Sequence, residues 1–265
     1  MPFFAVIAGA AGFYLRLMEL WNVFDVRTGL PERGADLSYA LIAFSAFYLF
    51  LVMIFAIRAS AKHEAQRGFE NAFGTDPLSY PSIFLLVGLV WIVATVMHIF
   101  DMRAAGEYPT IEIYFSAMSI LSAVSLTFFA IEMYQDSRRK SSYALSIVPT
   151  VFMCFWLILI YRANASNPVL LSYAYQCLAV ISSTLGFYFT SGFVYDKPAP
   201  GKAILSYYAS IYFCFVTLAD GHSASIRLIF AAIIVANIVH SAMLIKNLKR
   251  KAPGGYLSRS AESVL

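Results

Sequence analysis

Ionisable side chains stand inside the apolar stretches of this sequence, and each needs a physical reason to be there. If these stretches cross a membrane, a charge near the helix centre costs about 2.5–3.5 kcal/mol on insertion scales. Arg16 and Glu19 lie three residues apart in the first stretch, on one helix face and close enough to neutralise each other. His98 and Asp101 have the same spacing in the third stretch. These two pairs are the first candidates for a functional site.

Further ionisable residues stand where later apolar stretches end, on what we predict to be the same side of the membrane. Arg162 closes the fifth stretch, and Asp220 closes the seventh. Converging helix ends would form a water-accessible vestibule with both signs of charge, suited to a zwitterionic or anionic small solute. The predicted ligand contacts are Arg16, Glu19, His98, Asp101, Arg162 and Asp220, with aromatic walls from Trp21, Tyr108, Tyr114, Tyr161, Tyr173 and Tyr175.

The same residues have a structural interpretation, in which they pair with one another and tie helix ends together. Four arginines stand against five acidic residues, a near balance that is typical of an ion-pair network. Arginine side chains can also extend to the lipid headgroups. The set is Arg16, Arg103, Arg162 and Arg227 against Glu19, Asp25, Asp101, Glu112 and Asp220. At the level of the sequence both interpretations stay open.

A metal site is a third interpretation. His98 and Asp101, with Asp220 and His222, would supply two histidines and two aspartates, a ligand set that suits zinc and an intramembrane metal-dependent hydrolase. The chain has only four histidines and neither an HxxxH nor an HExxH motif. No nucleophilic serine stands out, since serines occur throughout the apolar stretches and commonly pack helices. We therefore predict no catalytic residue and no cofactor, and a protein that is not an enzyme.

The composition decides the class of protein that positions these residues. Hydrophobic residues make up 60% of the chain and charged residues 13%, and the mean hydropathy is +0.70. These values lie far outside the usage of soluble domains. The apolar runs are continuous for about 20 residues, whereas barrel strands would alternate. The sequence therefore predicts an all-α, polytopic transmembrane helical bundle, with the lipid bilayer as its main partner and no nucleic acid.

Eight stretches have the length of a membrane span, and prolines, glycines and charges separate them. They form a bundle over residues 1–251, followed by a polar tail, 252–265, that we predict to be disordered and cytoplasmic. No nucleotide-binding fingerprint occurs in the chain. The predicted spans are 3–24, 37–59, 82–105, 110–135, 143–163, 168–195, 202–220 and 224–247.

Lysines and arginines predict the orientation of these spans. Thirteen of them fall on one side of the predicted membrane and five on the other, with Arg16 left inside the first span. Loops on the cytoplasmic side of membrane proteins carry the excess of basic residues. We therefore expect both termini in the cytoplasm and the ionisable cluster on the outer side.

The tripeptide LSY occurs four times, at 37–39, 78–80, 171–173 and 205–207, at the beginnings of spans 2, 3, 6 and 7. This pattern is typical of a parallel four-plus-four repeat. Interface chemistry gives another explanation, because tyrosine favours membrane interfaces and serine caps helices. Either way the tripeptide reports architecture and is not a catalytic signature.

Residues 60–74, SAKHEAQRGFENAFG, connect spans 2 and 3 on the predicted cytoplasmic side. Phe69 and Phe73 are four apart, so a short helix here would place both rings on one face. The segment is therefore either an amphipathic helix at the membrane surface or a connector next to the membrane.

Two segments, GFYLRLMELWNVFDVRTGLPERG (12–34) and FWLILIYRANASNPVLLSYAY (155–175), resemble multi-span proteins of bacterial genomes that carry no assigned function. The likeness runs through most of the chain and includes TLADGHS (217–223). The resemblance implies a protein of the bacterial cytoplasmic (inner) membrane with about eight helices. It carries over no activity and no functional residue.

Three functions follow, in order of preference. The first is a small-solute transporter, or a solute-binding membrane component, with an outward-facing charged vestibule. The second is a non-catalytic structural or regulatory subunit that acts through helix–helix contacts with a membrane-protein partner or a second copy. The third is the metal-dependent hydrolase.

Overall fold

The computed structural model describes residues 2–24, 36–64, 68–75, 78–104, 106, 110–134, 143–167 and 169–250, and the predicted tail at 252–265 lies outside them. Nine α-helices form within these ranges, so the predicted all-α bundle is confirmed. Eight of the helices are long, and the ninth, α3, has five residues. They are α1 (Pro2–Asn22), α2 (Asp36–Lys62), α3 (Phe69–Phe73), α4 (Ser79–Ala104), α5 (Thr110–Tyr134), α6 (Tyr143–Ala163), α7 (Ala174–Val194), α8 (Pro200–Thr217) and α9 (Ala224–Asn247).

Each predicted span coincides with one long helix, and the ends agree within three residues except at the start of the sixth span. There α7 begins at Ala174 instead of 168, after a 3₁₀ turn at Leu170–Ser172. The Val169 N–H donates to Asn167 Oδ1 at 3.0 Å, so the asparagine side chain holds the chain in a turn before the helix begins.

Seven of the long helices are long and apolar enough to cross a membrane, which makes this a multi-pass membrane protein. The exception is α8, the predicted seventh span, which has the length but not the apolar composition. Its position explains this, because α1, α2, α7 and α9 all pack against it. In α8, 14 of 18 residues are buried, against 6 of 27 in α2. A helix that is mostly covered by other helices has little lipid-facing surface to keep apolar.

Polar side chains hold α8 to its neighbours in the interior of the bundle. Asn237 Nδ2 on α9 donates to Ser210 Oγ on α8 at 2.8 Å, and Ser183 Oγ on α7 lies 2.7 Å from the same hydroxyl. The hydroxyls of Tyr207 and Thr190 are 2.6 Å apart. Such bonds substitute for the hydrophobic driving force that helices lack in lipid.

Two glycines let α1 lie directly against α8. A Cβ atom on Gly12 would stand 2.8 Å from Val216 Cγ2 and 2.9 Å from the Tyr212 ring. A Cβ atom on Gly9 would stand 2.6 Å from the Phe215 ring. Small residues at helix interfaces permit this close approach in membrane proteins.

The segment 60–74 is neither a surface helix nor a plain connector, because α3 is inserted into one end of the bundle. Phe69 and Phe73 share a face as predicted, with ring centroids 4.9 Å apart, but both rings are buried. Phe69 packs on Phe129 and Phe73 on Phe193. Asn247, the last residue of α9, donates from Nδ2 to two carbonyl oxygens of this segment and fastens it.

The two halves of the bundle do not pack alike. The pair α7–α8 is the most extensive contact, whereas α2 and α4, their counterparts in a four-plus-four repeat, are not a closely packed pair in the described part of the chain. The repeat therefore stays a prediction from sequence that the helix packing does not reproduce.

The alternating helices give the bundle two chemically different ends. The end at which α1, α4, α6 and α8 finish holds the predicted site residues and is called the charged end here. The opposite end, where α2 and α9 finish and α8 begins, is called the basic end.

Candidate functional site

The predicted site residues all lie at the charged end, but they separate into groups that do not share one vestibule. Arg16, Glu19 and Asp220 form the first group, and His98 lies in the second with Glu112. Asp101 bonds to a serine of α9, and Arg162 is exposed on α6.

The Arg16 group is a buried ion-pair network. Arg16 donates from Nε to Asp220 Oδ1 and from Nη1 to Glu19 Oε2, both at 2.8 Å. Its Nη2 donates to the Leu171 carbonyl oxygen at 3.2 Å. The guanidinium also lies 5.1 Å from the centroid of the Tyr175 ring. One side chain therefore joins α1, the turn before α7 and the turn between α8 and α9.

This network is closed to a solute in the observed conformation. Arg16 and Glu19 are 0% exposed and Asp220 is 7% exposed. One oxygen of each carboxylate, Glu19 Oε1 and Asp220 Oδ2, has no hydrogen-bond partner in the described part of the chain. The arrangement is the ion-pair network of the structural interpretation, which ties helix ends together. Asp220 is a partner of Arg16 that the i,i+3 spacing of Arg16 and Glu19 does not reveal.

His222 stands beside this network in the turn between α8 and α9, with its Nε2 atom 4.0 Å from Asp220 Oδ2. Burial, with the nearby charges of Arg227 and Arg16, lowers the pKa of His222 from its usual value to about 4. Its imidazole is therefore neutral at neutral pH. Because Arg16 already neutralises Asp220, the aspartate does little to favour the protonated histidine.

The second group lines an open cavity of about 180 Å³, called the His98 cleft here, between α4, α5, α6, α7 and α9. His98 Nε2 lies 3.1 Å from Glu112 Oε2, and the two side chains are 12% and 31% exposed. Gln176, at the start of α7, adds an amide that can donate and accept hydrogen bonds. Asn164 adds a second amide, so the cleft offers one carboxylate, one imidazole and two amides to an entering molecule.

Aromatic rings form the floor of the His98 cleft. Phe115 packs edge-on against His98 at 5.3 Å and against Trp156 at 5.7 Å. Trp156 stacks on Phe230 at 4.9 Å. Because these rings are held by one another, the cavity wall is preformed and needs no reordering to receive a ligand.

The remaining predicted contacts lie elsewhere. Asp101 Oδ2 accepts a hydrogen bond from Ser225 Oγ at 2.9 Å, which ties α4 to α9. Of the predicted aromatic walls, Tyr175 is buried at Arg16, Tyr173 is half-buried, and Tyr108 lies outside the described residues. Highly exposed rings on the bundle surface suit the lipid–water interface instead: Trp21, Tyr114 and Tyr161.

The ligand set of the metal interpretation is distributed over separate contacts. His98 pairs with Glu112, Asp101 with Ser225, and Asp220 with Arg16. In the described ranges, no three His, Cys, Asp or Glu side chains converge in a way that could hold a metal ion.

Another histidine is unusual for its lack of any polar partner. His240 on α9 is fully buried, and neither ring nitrogen finds a hydrogen-bond partner among the residues that the structure describes. Aromatic rings surround it, with centroid distances of 4.7 to 6.4 Å, from Phe73, Phe84, Phe187 and Tyr207. It lines neither the cavity beside His98 nor the two cavities at the basic end.

Sequence reasoning missed three residues of the cleft as ligand contacts. Glu112 was grouped with the structural charges, and Trp156 and Gln176 were not singled out. Glu112 carried a usable signal, because it opens α5 two residues after the helix begins and so faces the end of α4. Trp156 and Gln176 carried none, since a tryptophan or a glutamine in a membrane helix has many roles.

Comparison with protein-family models, with curated proteins and with solved structures finds no match to this chain.

Proposed function

We propose that this multi-pass membrane protein binds a small amphiphilic solute in the His98 cleft, as a solute-binding component or a transporter. The cleft itself carries this proposal, because it combines partly exposed ionisable groups with a preformed aromatic floor at the charged end. The proposal keeps the function predicted from sequence and moves its site away from Arg16, whose network is closed.

The size of the cleft limits the solute. A cavity of about 150 Å³ lined by apolar side chains is enough to bind benzene. The His98 cleft measures about 180 Å³, so it accommodates one small ring with a short substituent. Amino acids with large side chains, sugars of two or more units and lipids are too large for it.

The charges select the class of solute. Glu112 supplies a negative charge at the rim, and no arginine or lysine is among the described residues that line the cavity. A primary amine can donate to the carboxylate and to the Gln176 amide oxygen while its apolar part contacts Trp156 and Phe115. The preferred solute is therefore a small organic amine, rather than the zwitterion or anion that the scattered charges of the sequence predict.

A thermal-shift series on the purified protein tests the proposal, since a ligand that favours the folded state raises the apparent melting temperature. The probes are benzylamine, benzyl alcohol, phenylacetate and ethylamine, which vary the charge and the ring separately. We expect benzylamine to give the largest shift and phenylacetate none. Equal shifts from phenylacetate and benzylamine would contradict the assigned chemistry.

Matched variants locate the binding. Glu112→Gln removes the carboxylate from the cleft and should weaken benzylamine binding about tenfold or more, the usual effect of losing a charge-assisted hydrogen bond. Glu70→Gln makes the same change at an exposed residue of α3, at the basic end, and should leave binding unaltered. If no probe of any charge binds, the structural or regulatory subunit becomes the better function, and co-purifying membrane proteins are the next measurement.

A further inference from the structure

Two further cavities lie at the basic end, away from the His98 cleft. One, of about 370 Å³, opens between the ends of α2 and α9. Arg58, Lys62 and His63 lie on one side of it, and Ile245 and Leu248 on the other. The cavity therefore has a cationic rim above an apolar wall.

The neighbouring cavity, of about 390 Å³, is almost wholly apolar and lies between α1, α2 and α8. Leu51, Val52 and Tyr208 line it, and Phe55 lines both cavities. The two therefore adjoin at Phe55 along α2 and are treated as one groove here. From Leu51 to Lys62 they extend over eleven residues, or about 16 Å at the helical rise, close to the depth of one leaflet of a hydrocarbon core about 30 Å thick.

We propose that this groove binds one anionic phospholipid, with its headgroup phosphate at Arg58 and Lys62 and an acyl chain along Phe55, Val52 and Leu51. The occupant follows from the order of chemistry along the groove, which is cationic at the membrane surface and apolar over one leaflet. Basic pockets between membrane helices on the cytoplasmic side are typical binding sites for anionic headgroups.

The local geometry supports a phosphate at this rim. Arg58 and Lys62 are four residues apart on α2, so both long side chains extend from the same face. His63 Nδ1 donates to the Ala59 carbonyl oxygen at 2.9 Å, which orients the imidazole at the end of α2. The backbone of residues 63–64 pairs with residues 249–250. This pairing brings the backbone of Lys249 and Arg250, which follow α9, beside the rim.

The groove also has a packed wall on the side of α8. A Cβ atom on Gly201 would stand 2.8 Å from Ser60 Cβ and 3.0 Å from the Ala56 carbonyl oxygen, so α8 and α2 touch here. This close contact between the two helices gives the groove a fixed wall. A lipid that fills the groove contacts four helices, α1, α2, α8 and α9, unlike a lipid on the outer bundle surface.

Delipidated protein in detergent provides the test, with the apparent melting temperature as the readout. Dioleoyl phosphatidylglycerol should raise it by about 5 °C more than dioleoyl phosphatidylcholine at the same molar fraction. Dihexanoyl phosphatidylglycerol and glycerol phosphate, which lack the long chain, should give little of this shift. The double variant Arg58→Gln/Lys62→Gln should lose most of it, while Arg162→Gln/Lys197→Gln, which removes two exposed cations elsewhere, should retain it.

Each alternative source of the signal gives a different outcome. A full shift from glycerol phosphate would indicate a free-anion site and overturn the lipid assignment. A full shift from phosphatidylcholine would indicate general solvation of the bundle and overturn the headgroup assignment. Equal losses in the two double variants would indicate attraction to the net charge, with no specific groove.

Discussion

Arg16 Nε lies 2.8 Å from Asp220 Oδ1, a buried contact between residues 204 positions apart. It fastens the end of α1 to the turn between α8 and α9, while Gly9 and Gly12 hold the middle of α1 against α8. Helix α1 is therefore positioned by close packing and by an ion pair at separate heights in the bundle.

Removal of Arg16 should be strongly destabilising. Arg16→Met leaves the Glu19 and Asp220 carboxylates buried without a cation, which typically costs about 3–5 kcal/mol. We expect a fall in melting temperature on the order of 10 °C. The double variant Arg16→Met/Glu19→Gln should recover only part of this loss, because Asp220 stays unpaired.

The triple variant Arg16→Met/Glu19→Gln/Asp220→Asn removes all three charges and should recover most of the stability. Arg162→Met, on the exposed surface of α6, serves as the control and should melt close to the wild type. Losses that simply add from the single to the triple variant would show that the three charges do not act as one network.

The glycine contact between α1 and α8 leads to a second prediction. Gly12→Ala should destabilise the protein by about 1–3 kcal/mol, because Val216 and Tyr212 must move to admit the methyl group. Thermal melting of the purified variants measures the effect. Gly221→Ala is the matched control, since no atom lies within 4 Å of that Cβ position. A Gly12→Ala protein as stable as the control would mean that α1 has room to move outward.

His240 should be replaceable with a gain in stability. Its two ring nitrogens are buried without partners among the described residues, and each unsatisfied polar group costs about 1–3 kcal/mol. His240→Leu has a similar volume without polar atoms and should raise the melting temperature, whereas His240→Gln keeps a polar group in the ring of aromatic side chains and should not. A decrease in both variants would point to a bonding role for the imidazole, for instance through an ordered water.

The predicted orientation can be tested with cysteines at opposite ends of the bundle. Ser166 lies in the turn after α6 and Lys197 in the turn after α7, and both are exposed. In a background without the three native cysteines, an impermeant maleimide should label Ser166→Cys in intact cells and Lys197→Cys only after permeabilisation. Gly68 is unsuitable for this test because its φ of +84° would strain a cysteine. The reversed labelling pattern would place the charged end in the cytoplasm.

The helices were predictable from sequence because membrane spans depend on continuous apolar length, and prolines, glycines and charges mark the breaks. The start of α7 was missed because a side-chain turn at Asn167 competes with helix formation locally. Both the helix spans and the start of α7 depend on local sequence and not on which helices pack together.

The site was less predictable because it depends on which helices pack together, and the local sequence of a span does not determine its neighbours. A span that is apolar on every face gives no indication of which face meets protein, so Arg16 was paired correctly with Glu19 at i+3 but not with distant Asp220. Arg162 illustrates the same difficulty. Its position at the end of α6 was correct, yet the side chain is on the exposed surface and not in the cleft beside it.

The central position of α8 has a consequence for how the protein is made. A segment enters the bilayer from the translocation machinery on the strength of its own apolar character, and α8 is the long helix that falls short of this. The hydroxyls of Tyr207 and Ser210 find their partners on α7 and α9. We therefore expect α8 to integrate together with these two neighbours, and a nascent chain halted after Thr217 to hold a segment that neither water nor lipid accommodates well.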